Sequence, residues 1–207
     1  MNSRRVLFLG NSITRHAPKP EIGWIGNWGM AASSIEKDFV HLMIKMFTEK
    51  DGAEPESLIV NIADFEREYA TYNILENFKT IADFNADIII LAIGENVPDI
   101  ATDEDKSAFS DAISKLLEFL KKNDTSPALF IRSSFWSNPT KDAILQQTSI
   151  NTGGIFVDIS NLDKNEANYA RSERDYDHGG VAAHPGDAGM VAIADAIWNA
   201  VQKENLC

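Results

Sequence analysis

Cysteine is all but missing: the 207 residues contain one, and it is the last, Cys207. No internal disulfide can form and no cysteine-based zinc site exists, which agrees with a reducing compartment. Positive charge is scarce as well. Nineteen Lys and Arg stand against 31 Asp and Glu, a net charge of -12 at pH 7. Such a field repels phosphate backbones and anionic lipid heads, so nucleic acid and membrane surfaces are excluded as expected partners. It also disfavours highly charged anionic substrates. No stretch approaches the roughly 18 apolar residues of a membrane span. Arg4 and Arg5 ahead of Val6–Leu9 imitate a secretory leader. The run is shorter than the usual ~7–15 residues and no small-residue cleavage site follows, so a buried strand is expected. The cytoplasm is the default compartment, although a precursor stripped of its leader would give the same sequence. Repeats, low-complexity tracts and metal-ligand spacings are all missing, so no metal site is expected.

What the chain does have is alternation. Val6–Leu9, Leu58–Ile62, Ile88–Ile93, Ala128–Ile131 and Ile155–Ile159 are short apolar runs. Ile88–Ile93 is apolar at every position, as in a strand covered on both faces. Between the runs lie stripes of helical period: Ile35, Phe39, Leu42, Met43, Met46 and Phe47; then Phe109, Ile113, Leu116, Leu117 and Leu120. Met190, Ile193, Ala194, Ile197, Trp198 and Val201 form the clearest, with Asp187 as expected N-cap and Pro185 just before. Packing explains these apolar positions without any functional role. Strand–helix alternation over this length predicts one α/β domain over residues 1–207, a five-stranded mainly parallel sheet with helices on both faces. Ligands of such a fold sit outside the carboxyl ends of the strands.

Three loops at those ends carry candidate chemistry. Gly10-Asn11-Ser12 follows the first run, and the spacing places Ser12 near a helix N-terminus. Ser12 there is a nucleophile, a phosphate ligand or a cap. Gly94-Glu95-Asn96 follows the third run, where Asn96 is either an oxyanion donor or a turn residue. His184-Pro185 precedes the last helix; isolated histidines are commonly structural, but this one stands beyond the last strand. His16, His41 and His178 have no comparable setting.

Together these pieces resemble the SGNH hydrolases, the GDSL-type esterase and lipase superfamily. Gly10-Asn11-Ser12 matches its first block, Gly94-Glu95-Asn96 its third, Gly29 is the candidate for its second and His184-Pro185 for its fourth. The resemblance spans nearly the whole chain. It implies a three-layer α/β/α, flavodoxin-like sandwich and serine-dependent hydrolysis of a small-molecule ester, with no cofactor. Ser12 is then the nucleophile and His184 the general base. The backbone N–H groups of Ser12 and Gly29 and the Asn96 side chain form the oxyanion hole. One departure matters. The family's acid lies three residues before the histidine, and that position is Val181. Asp158, Asp175, Asp177 or a backbone carbonyl could orient His184 instead.

Substrate clues are Trp24, Trp28 and Trp136, whose rings could stack on a sugar or an acyl chain or simply pack. Arg132 could touch substrate or pair with a carboxylate. A carbohydrate O-acetyl esterase is the expected function. The alternatives are a phosphate- or flavin-binding module on the same sheet, and a degenerate hydrolase that binds glycans without cleaving them.

Overall fold

The computed structural model describes residues 3–121 and 126–204; Cys207 lies outside them. The five strands are β1 (Arg5–Gly10), β2 (Glu56–Asn61), β3 (Ile88–Ala92), β4 (Ala128–Arg132) and β5 (Ile155–Val157). All neighbours are parallel, in the order β2-β1-β3-β4-β5. The helices are α1 (Phe39–Asp51), α2 (Ala63–Glu68), α3 (Ile74–Asn77), α4 (Lys79–Ala82), α5 (Asp103–Leu120), α6 (Pro139–Asn151), α7 (Gly179–Ala182) and α8 (Asp187–Lys203). No helix among the described residues is long and apolar enough to cross a membrane.

The period of two along the strands divides the core. Val6 and Phe8 of β1 and Ile88 and Ile90 of β3 pack with Phe39, Met43 and Phe47 of α1 and Met190, Ile193 and Ile197 of α8. Leu7, Leu9, Ile89 and Leu91 point the other way, onto Phe109, Ile113 and Leu117 of α5 and Leu145 of α6. A central strand so covered must be apolar at every position, which is why β3 is buried throughout. At the edge, β2 is only half-buried. Trp198 closes the α1–α8 seam, edge-on to Phe47 with ring centres 4.9 Å apart.

Three local expectations need correction. The first helix starts at Phe39 instead of Ile35, because Asp38 accepts the His41 N–H at 2.7 Å as its N-cap; Ile35 lies in a preceding 3-10 turn. Residues after Ser12 form a turn closed by the Thr14 and Arg15 N–H groups on the Asn11 carbonyl, not a helix, so no helix dipole faces Ser12. At α8 the N-cap is Gly186. Glu173 accepts the N–H groups of Asp187 and Ala188, both at 2.8 Å, in the role a capping side chain would take. Asp187 instead holds Ser33 through its N–H and its hydroxyl.

The reversal of strand order falls between β1 and β3, and the loops leaving their carboxyl ends flank one crevice. Gly94 begins the second of these loops at φ 126°, where any side chain is strained and a Cβ would run into Ser134 Oγ.

Candidate active site

Ser12 and His184, 172 positions apart in sequence, meet across the crevice with Oγ and Nε2 at 2.8 Å. The imidazole is held from behind by its Nδ1, 2.7 Å from the Gly180 carbonyl oxygen. A carbonyl can only accept, so Nδ1 carries the proton and Nε2 is left to accept from the Ser12 hydroxyl. The partner is available for a local reason. In four-residue α7 the N–H groups of Ala182 and Ala183 reach His178 and Gly179, and that of His184 reaches Val181. The Gly180 carbonyl is thus one of the unsatisfied groups at a helix end, and the imidazole takes it. Trp136 packs edge-on against the ring at 5.2 Å and gives its indole N–H to the neighbouring Ala183 carbonyl.

Among the described residues no carboxylate is hydrogen-bonded to His184. Val181 is buried against Trp24, Met30, Ala31 and Ala170. Asp158 accepts from the Ser160 N–H and the Ser133 hydroxyl, and Ser160 is the main reason its carboxyl lies below the usual range. Asp175 and Asp177 are exposed to solvent. Burial lowers the His184 pKa to about 4, outweighing the Gly180 carbonyl and the Glu95 charge, which both favour the protonated ring.

Asn96 lines the same cleft as Ser12 and His184. Its amide is aimed by Glu66 of α2, whose carboxylate accepts Asn96 Nδ2–H at 2.9 Å, Asn96 N–H at 3.2 Å, Gly94 N–H at 2.7 Å and Asn11 Nδ2–H at 3.3 Å. Asn11 also donates to Glu95 at 2.6 Å, so one asparagine ties the two carboxylates together. Burial and the nearby Glu95 charge push the Glu66 pKa up, against these donors. Glu95 is itself buried, which raises its pKa, but Arg132 at 2.6 Å, the Phe135 N–H and Asn11 outweigh burial and hold it low. Arg132 is therefore a buried counter-ion, not a substrate contact. This network was not foreseen from sequence, although Glu95 lies within the Gly94-Glu95-Asn96 block that drew attention to the loop.

The remaining expected residues divide. The Ser12 N–H has no acceptor among the described residues. Gly29 is not brought into the cleft in the same way: its N–H donates to buried Asp38 at 2.9 Å, and a Cβ there would meet the Ile13 carbonyl. Ala63, at the start of α2, lines the cleft, with its N–H on Asn61 Oδ1. Trp24 and Trp28 give their indole N–H groups to the His16 and Ala32 carbonyls, and stack on each other edge-to-face. All three indoles near the site thus serve the scaffold. Conversely His16 and His178, set aside on sequence grounds, line the cleft with Arg15, Asn27, Asn61, Asp64 and Arg67. The cleft holds about 660 Å³. Among the described residues no three His, Cys, Asp or Glu side chains are grouped to hold a metal ion.

No family sequence model matches the chain, and no curated protein matches it in sequence. Solved structures do match in fold. A protein described as a GDSL-like lipase from Bacteroides uniformis superposes with a TM-score of 0.59 at 16% identity, over 97% of this chain and 96% of that one. The family 3 carbohydrate esterase of Clostridium thermocellum gives 0.55 at 15%, over 96% and 94%. The lipase/acylhydrolase of Enterococcus faecalis gives 0.58 at 10%, over 97% and 96%. The parallel five-stranded sheet with helices on both faces is thus the α/β/α fold of the GDSL-like lipases and carbohydrate esterases.

Proposed function

We propose that the protein is a serine-dependent ester hydrolase in which Ser12 is the nucleophile and His184 the general base. The observation that carries the reading is the hydrogen bond between Ser12 Oγ and His184 Nε2, with the tautomer fixed by Gly180. Ser12 Oγ attacks the ester carbonyl carbon while Nε2 takes its proton. The tetrahedral oxyanion is met by the Ser12 N–H and the Asn96 amide; each such donor is worth about 2.7–4 kcal/mol in serine hydrolases. With Gly29 committed to Asp38, these two donors carry the role. Collapse expels the alcohol, which takes the proton from Nε2, and leaves an acyl-serine. Water, deprotonated by His184, then frees the acid and restores the hydroxyl. The Gly180 carbonyl performs the orienting half of a triad acid's work, while the imidazolium formed during reaction gains no carboxylate charge beside Nδ1.

An acetylated sugar is the proposed substrate class. Support comes from the cleft lining, which offers Asn27, Asn61, Asn96, His16 and His178 to hydroxyl groups and from the carbohydrate esterase among the similar folds. The phosphate-binding alternative fares worse, because the Ile13, Thr14 and Arg15 N–H groups that would cradle a phosphate are all taken by Asn11.

The test is hydrolysis of p-nitrophenyl acetate, longer-chain p-nitrophenyl esters and acetylated sugars by wild type, Ser12→Ala and His184→Ala. Both variants should lose at least about a thousandfold in kcat/KM. Wild-type turnover equal to that of Ser12→Ala would sink the hydrolase reading. Glycan binding alongside it would select the non-catalytic alternative.

A further inference from the structure

One cation at the cleft is left without a counter-charge. Six of the seven arginines face a carboxylate, among them Arg4 on Asp51, Arg132 on Glu95 and Arg174 on Glu173 and Asp187. Arg15, three residues beyond Ser12 and lining the same cleft, has no carboxylate partner among the described residues. This occurs on a chain of net charge -12, where acidic partners are plentiful.

The Arg15 guanidinium is nevertheless held in place. Its Nε donates to Asn27 Oδ1 at 3.1 Å and one Nη to the Ile59 carbonyl at 3.3 Å, both neutral acceptors. The Arg15 carbonyl accepts from Asn61 Nδ2 at 2.6 Å, and its N–H closes the turn on Asn11. Neutral anchors fix the direction of the fork without cancelling its charge, leaving the second Nη to a ligand. Arg67 lines the cleft too, but Asp64 pairs with it at 2.9 Å. Among the residues lining the cleft, two arginines stand against one aspartate, which favours an anion beside Arg15.

We infer that Arg15 is a specificity residue that binds a carboxylate on the alcohol portion of the ester, so that the substrate class is an acylated alcohol bearing a carboxylate. The inference rests on the esterase reading of Ser12 and His184. The acetyl group proposed above carries no charge, which places the carboxylate on the alcohol side. A guanidinium forms paired N–H···O bonds with a carboxylate, a geometry lysine does not match.

The experiment uses 4-acetoxybenzoate and its neutral counterpart, methyl 4-acetoxybenzoate, each rate being corrected for spontaneous hydrolysis. Wild type should prefer the charged ester at least about tenfold in kcat/KM, chiefly through KM, with the preference shrinking as salt rises. In Arg15→Gln the ratio should fall to near one, and Arg15→Lys should keep part of it. The ratio is internal to each variant, so a smaller folded fraction cancels. A wild-type ratio of one or less, or a ratio unchanged in Arg15→Gln, overturns the inference. Titration calorimetry with 4-hydroxybenzoate and methyl 4-hydroxybenzoate separates this from the esterase reading. Tighter binding of the acid that depends on Arg15, without turnover of either ester, would refute the hydrolase and retain the anion site. Turnover of both esters with no Arg15-dependent binding of the acid would do the reverse.

Discussion

His184 Nδ1 lies 2.7 Å from the Gly180 carbonyl oxygen, four residues earlier in the chain, and Val181 occupies the position where the resembling family carries its acid. Orientation of the imidazole is therefore supplied from within the same short segment. No carboxylate stands at Nδ1; the Glu95 charge acts on the ring without a hydrogen bond to it.

The aspartates should accordingly be dispensable. Asp158→Asn, Asp175→Asn and Asp177→Asn, made singly, are expected to hold kcat/KM within about tenfold, or roughly 1.4 kcal/mol. A triad acid would cost far more, about 10⁴-fold in a serine protease. One folded variant losing more than a thousandfold would identify the acid and end the dyad assignment.

Restoring the family residue should fail. Val181→Asp places a carboxylate among Trp24, Met30 and Ala31 without a partner, so stability should drop by about 2 kcal/mol or more. Denaturant unfolding measures this. Unchanged stability with a gain in turnover would show that the pocket admits a triad.

The pH profile follows from burial. An unperturbed imidazole titrates near 6.5, but His184 is lowered to about 4, so the base stays neutral down to that region. The acidic limb of kcat/KM on neutral esters should fall near pH 4 and stay flat from about 5 to 7. An inflection at the unperturbed value, with chemistry limiting and the protein folded, would contradict the assignment.

The same shift sets a stability trend. Below the unfolded pKa the unfolded chain binds a proton that native His184 refuses, so stability is lost as pH falls from about 6.5 to about 4. The loss is on the order of 3 kcal/mol. His184→Gln should flatten the dependence in that window, as read by unfolding at several pH values. Identical slopes for variant and wild type would argue against a buried neutral imidazole.

Glu66 should act through Asn96. Its carboxylate accepts four N–H bonds, and an amide offers one acceptor oxygen with an NH₂ that opposes the donors. Glu66→Gln should lower kcat at least about tenfold with a smaller change in KM, and cost about 1–3 kcal/mol of stability. A further loss of the same size on adding Glu66→Gln to Asn96→Ala would show that the two act separately.

Much of the architecture was legible because burial leaves a periodic trace. β3, covered on both faces, reads as an unbroken apolar run, and α5 and α8 read as stripes because one face of each meets the sheet. Helix α6 left little trace: Thr148 and Ser149 share its buried face with Leu145. Short α2, α3 and α4 give too few turns to show a period. At the site, residues in fixed local contexts could be named in advance, so Ser12, Asn96 and His184 were legible from the loops that bear them. What the sequence determined was the alternation that builds the sheet and the order of those loops along it. Tertiary structure decided which groups face one another. That Ser12 meets His184, that Trp136 braces the Ala183 carbonyl, and that Arg15 reaches the Ile59 carbonyl with no carboxylate partner among the described residues are facts about contacts between segments. A hydrogen bond is short-ranged and directional, whereas hydrophobic period is a local average. The second survives in a linear sequence, and the first exists only once the chain has closed on itself.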